Sequence, residues 1–158
     1  MSPSGAIEGL AIARAMRESL WLYPIVEICH IVGFVTLVGS VVMFDLRVLG
    51  LSRRISVRAL ARHLLPWSVA ALAIIVPTGL MMFAAHADDF LGNRAFQVKM
   101  GLLLAAGINA GMFHTGPYQT VGAWDVDATA PLSARASVAL SIVIWISIIA
   151  CGRLLAYL

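Results

Sequence analysis

Residues 21–44 read WLYPIVEICHIVGFVTLVGSVVMF, an apolar run interrupted only by Glu27 and His30. A helix rises about 1.5 Å per residue, and a hydrocarbon core about 30 Å thick takes roughly 20 apolar residues to cross. This stretch is long enough. Three more follow: from about Leu64 to Ala85, from Phe96 to His114 just before Gly116-Pro117, and from Ala134 to Leu155. In hydrocarbon every backbone N–H and C=O must find its partner inside its own helix or in a closed barrel, and no alternating barrel pattern is present. The sequence therefore predicts an all-α fold, an integral membrane four-helix bundle.

Composition agrees. Of 158 residues, 61% are hydrophobic and 12% charged, where a soluble domain carries about 25% charged residues. The length suits one bundle, residues 20–158, and no separate soluble domain. Ahead of it, residues 1–19 form an N-terminal amphipathic segment. A helix over 5–19 would put Ile12, Met16 and Leu20 on one face and Arg14, Arg17 and Glu18 on the other, suited to the membrane interface. The apolar stretch after Arg17 is too long for a signal peptide's core, so the segment is expected to be retained. Cys29 and Cys151 lie inside apolar runs without metal-site spacing and read as small buried hydrophobes.

The link after the first apolar helix holds Arg47, Arg53, Arg54, Arg58 and Arg62 against one acid, Asp45. The positive-inside rule places that link in the cytoplasm and both termini outside, as expected for a multi-pass protein of a bacterial inner membrane. The basic link suits anionic lipid, and nothing suggests nucleic acid. Asp45 and Arg47 look like a local ion pair, and Pro66-Trp67 like a helix start with an interfacial anchor. Pro77 is expected to kink its helix. Asn109 predicts an interhelical hydrogen bond. The third apolar helix is rich in Gly101, Ala105, Gly107 and Gly111, spaced for close packing.

Ionisable groups at membrane depth are costly and so point to function. Tyr23, Glu27, His30, Gly33, Leu37 and Ser40 share one helical face. Glu27, one turn before His30, could orient the imidazole or relay protons. The four histidines form two depth groups, His30 with His86 and His63 with His114. Two groups near opposite membrane faces suit one or two haem b, with histidine as axial ligand. The bland readings are a solvated His63, an interfacial His86, a helix-capping His114 and a snorkelling Lys99. No Walker loop, GxGxxG, HExxH or GxSxG is present.

The run Arg17-Glu18-Ser19-Leu20-Trp21-Leu22-Tyr23-Pro24, then Glu27, His30 and residues 45–50 (DLRVLG), resembles a bacterial family of small four-helix membrane proteins of unknown function. Leu65-Pro66-Trp67, Thr78-Gly79, Asn93 to Phe96, Lys99, Asn109 and Phe113-His114 continue the resemblance, which covers about residues 17–116. That family is distantly similar to HemJ-type protoporphyrinogen oxidases and CopD-type membrane domains. The resemblance implies His30 and Lys99 as haem-associated positions and His30 with His114 as recurrent ones; His63 and His86 fall outside it. The expectation is a haem-b-binding protein passing electrons between a quinone or periplasmic partner and another redox protein. His30 would be the principal ligand, with His86, His114 or Lys99 opposite it and Glu27 and Tyr23 as tuning or proton-handling groups. The alternatives are a cofactor-free accessory subunit of a larger membrane complex, or a small proton-coupled carrier working as a homo-oligomer.

Overall fold

The computed structural model describes residues 3–154, and every regular element among them is helical. Two short helices, α1 (Pro3–Glu8) and α2 (Ala11–Glu18), precede α3 (Leu22–Leu49) and α4 (Val57–Ala85). A short α5 (Ala87–Gly92) leads to α6 (Arg94–Thr115). A 3-10 turn, Pro117–Ala123, and an irregular stretch lead to α7 (Leu132–Leu154). The helices α3, α4, α6 and α7 are each long and apolar enough to cross a membrane. The fourth apolar stretch was expected to reach Leu155, which lies outside the described residues.

Several boundaries differ from the sequence reading for identifiable reasons. Helix α3 runs past Phe44 to Leu49 and stops where Gly50 adopts a left-handed φ of 116°, the usual glycine ending of a helix. Helix α4 begins at Val57, well before Pro66, so Arg58 and Arg62 sit in its opening turns and Pro66-Trp67 is interior. The early start is capped. The Ser56 hydroxyl accepts from the Ala59 N–H and donates to the Asp125 carboxylate, which also accepts from the Arg58 N–H. A chain segment far away in sequence thus satisfies donors that a helix start leaves orphaned.

The N-terminal segment is two helices meeting at Gly9-Leu10, not one. Its buried face also differs from expectation. Met16 and Ala13 are buried, but Ile12 and Leu20 are exposed. Met16 packs beside Val26 and Ala85, and the Arg17 guanidinium donates to the Ala85 and Glu8 carbonyls. Helix α2 is therefore fastened over the end of α4.

Helix α3 packs along α4 on one side and against α7 on the other, and α7 in turn carries α6. Helices α3 and α4 approach closely at Gly33, where a Cβ would stand 3.0 Å from Ile75 Cγ1. Asn109 makes the interhelical bond its position predicts: its Nδ2 donates to the Ser137 carbonyl, and the Ser137 hydroxyl donates to its Oδ1. Of the small residues of α6, Ala105 and Ala106 pack against the core, but the glycines do not pack as expected. At Gly101, Gly107 and Gly111 an added Cβ would meet nothing within 4 Å. Helices α4 and α6 meet at the α5 end, through stacked rings of Phe83, Phe90 and Phe96.

Candidate functional site

The end of the bundle where α3 begins holds His30, half-buried between α3 and α4. Its Nδ1 lies 3.0 Å from the Thr78 hydroxyl oxygen. That hydroxyl has one proton, and it donates to the Ile74 carbonyl at 2.6 Å, with Ile75 O at 3.1 Å. Towards His30 the oxygen is left as an acceptor. An Nδ1 proton donated to that oxygen would leave Nε2 with its lone pair. The neighbouring Gly79 makes room for the ring: a Cβ there would lie 3.1 Å from His30 Cε1. A threonine and a glycine on α4 thus form the seat of a histidine on α3, with a hydroxyl in the place where metal-ligating histidines keep an outer hydrogen-bond partner.

Glu27 was expected to orient the imidazole. It is exposed and acts on His30 through space, as Lys99 does; the orienting bond comes from Thr78. Tyr23, expected beside His30 in function, packs edge-on against His86 instead, with ring centroids 5.6 Å apart. Those two rings line an open surface cavity with Met16 and Arg17. Lys99, on α6, reaches across to α7, its Nζ 3.9 Å from where a Cβ on Gly152 would stand.

His30 and His86, grouped by depth in the sequence, do not stand level. Thr78, level with His30, is eight residues before His86, a rise of about 12 Å along α4. His114 is at the opposite end of the bundle, its ring edge-on to Phe113 and Tyr118, lining a cavity with Asp45. Asp45 is 15 residues beyond His30 on α3, or about 22 Å. His63 is exposed on α4. Among the described residues no three His, Cys, Asp or Glu side chains converge where a metal ion could be held. For haem b, His30 could supply one ligand nitrogen, and by helix rise no other histidine stands level with it among the described residues. Cys29 is exposed on the outer surface of α3, not buried as expected.

The other polar concentration is at the Arg47 end. The expected Asp45–Arg47 ion pair does not form. Arg47 is 4% exposed and donates to the carbonyls of Ile55, Arg53 and Asp125. Burial opposes the charge on the Asp125 carboxyl, but the Arg58 N–H, the Ser56 hydroxyl, the Arg58 charge and the Val57 N–H outweigh it. They hold the carboxyl below its ordinary value.

Fold and site together define a small all-helical bundle with four candidate membrane spans and one oriented histidine at span depth. Residues 23–158 match the model of a family described as of unknown function (DUF6644), and the chain belongs to that family. No curated protein and no solved structure matches it.

Proposed function

We propose that this chain is a haem-b-binding membrane protein that passes electrons between a quinone or periplasmic partner and another redox protein. The observation that supports this reading is the Thr78 hydroxyl oxygen 3.0 Å from His30 Nδ1, because an Nδ1–H donated to it would leave Nε2 free to act as a ligand. Haem b, when bound, supplies one-electron exchange at its iron. His30 offers the ligand nitrogen. Thr78 and Gly79 keep the ring from turning. Lys99, on the same half of the bundle, acts electrostatically on His30, as Glu27 does, and it would supply a cation for acidic groups. The arginines of the α3–α4 link favour the cytoplasmic side, which puts both termini outside a bacterial inner membrane.

The test is a reduced-minus-oxidised visible spectrum and a pyridine haemochrome assay on the detergent-purified chain and on His30→Ala. Sharp reduced bands in the wild type, lost in a His30→Ala variant that elutes and melts like it, are the expected result. A variant that keeps the full haem complement, or a wild type that stays colourless after haem supplementation, overturns the reading.

A second reading has an observation of its own. Only 6% of the most apolar window of α6 is buried, and its glycines face open space. This favours a cofactor-free subunit whose α6 packs on another membrane protein. A colourless chain that always copurifies with one membrane partner is its signature.

A further inference from the structure

A second feature of the bundle lies away from His30. Between α4 and α6, floored by α3 and α7, lies a lateral cavity of about 580 Å³. That is within the range of small-molecule sites, roughly 300–1,000 Å³. Its walls are apolar, with Phe34, Leu72, Val76, Leu103 and Trp145 among them. The stacked rings of Phe83, Phe90 and Phe96 join α4 to α6 beyond one end of it. At the other end Phe44 and Phe113 pack edge-on, centroids 5.7 Å apart.

Several polar groups along the cavity already have hydrogen-bond partners. Asn109 and Ser137 bond to each other. The Ser68 hydroxyl donates to the Leu64 carbonyl. Asp45 is the exception. It is 3% exposed, it lines the cavity, and its Oδ2 has no hydrogen-bond partner. The Ser141 hydroxyl is a hydrogen-bond neighbour of the carboxyl. Arg47, the nearest cation in sequence, is committed to three backbone carbonyls. A buried polar oxygen without a partner is costly, and native structures rarely leave one without a reason.

We propose that the α4–α6 cavity binds a neutral, lipid-soluble molecule whose single polar end is a hydroxyl, with that O–H donated to Asp45 Oδ2 and the apolar body lying along α4 and α6. The donor must be neutral because it arrives through hydrocarbon, where a free cation is expensive. Asp45 is one turn from the end of α3, so the hydroxyl lies towards the membrane surface and the body towards the midplane, as amphiphiles orient. The small residues of α6 now have a role. Gly107 and Ala110 line the cavity, and a larger side chain at either would fill it. This inference does not rest on His30 or on any cofactor there.

The test uses the full chain in phosphatidylcholine nanodiscs and a photoreactive probe, a diazirine-bearing dodecanol, with labelled peptides mapped by mass spectrometry. A matched dodecyl methyl ether probe has the same body and no donor. The expected result is saturable labelling of cavity residues by the alcohol, with an apparent affinity about tenfold above the ether's, as suits one hydrogen bond to a buried carboxyl oxygen that otherwise has no partner. Asp45→Leu should bring the two probes within about twofold of each other. Leu72→Trp, which fills the cavity from its lipid-facing wall, should reduce labelling by both. Equal labelling by alcohol and ether in the wild type overturns the proposal, and that comparison needs no variant to fold. A dodecylammonium probe or added phosphatidylethanolamine that displaces the alcohol, where dodecanol does not, also overturns it and reassigns the site to a lipid headgroup.

Discussion

Thr78 is the residue on which the reading of His30 turns. Its hydroxyl gives its proton to its own helix and offers a lone pair to a different one. Thr78→Val keeps the shape and removes the acceptor. It is expected to cost about 1 kcal/mol of stability, the net worth of an ordinary hydrogen bond, and to let the His30 proton redistribute between the nitrogens. Long-range proton–nitrogen NMR of labelled histidine reads this directly: the wild type should show a protonated Nδ1, and the variant a mixture. A wild-type His30 protonated on Nε2 would remove the support for a ligand role. Gly79→Ala presses a methyl against the ring and should displace it while leaving Thr78 in place. Sequence alone had singled out His30 and Glu27 because both interrupt an apolar run. It could not show that the orienting group is 48 residues away, since a threonine in an apolar helix is commonly just bonded to its own i−4 carbonyl, as Thr36 is.

At the scale of elements, α4 shows how tertiary contacts override local signals. Pro66 read as a start because proline favours the first turn. The true start at Val57 depends on Asp125, a carboxylate from the link before α7. Because that carboxyl is held below its ordinary value of 3.8, its contribution is fully present above that value. The contribution is lost as pH falls through the depressed folded-state value. Acid titration of thermal stability should therefore show a loss at the acid end that Asp125→Asn lacks, and the variant should be less stable than wild type at neutral pH. Ser56→Ala removes the cap and should cost about 1 kcal/mol. The crossing of α3 and α4 has a similar sensitivity. Gly33→Ala puts a methyl 3.0 Å from Ile75 Cγ1, and it should destabilise by about 1–3 kcal/mol, as overpacking does. A neutral effect in a detergent melt would mean the helices separate easily at that point.

For the whole molecule, the arrangement is a bundle with one side open. Helix α3 and α7 form the centre, α4 and α6 the flanks, and the rings of Phe83, Phe90 and Phe96 tie the flanks at one end. Phe96→Ala should loosen that tie and broaden the α4–α6 distance. Pulsed electron paramagnetic resonance between spin labels at Val69 and Ile108, both exposed, with Cys29 and Cys151 replaced by serine, would measure it. An unchanged, narrow distribution would show that α7 alone fixes α6.

The number of long helices, their apolar character and the Asn109 bond were set by the sequence itself, because a span needs only length and hydrophobicity, and a lone amide at depth needs a partner across helices. Tertiary structure decided everything that depends on which helix faces which. It gave His30 to Thr78 and Tyr23 to His86. It sent Arg47 to three carbonyls and so left Asp45 without the cation its neighbour promised. It also set His86 about 12 Å beyond the level of His30 along α4. Hydrophobic periodicity is weak in a helix apolar on every side, so the sequence does not say which face turns inward. Only packing against real neighbours selects the face, and with it the site.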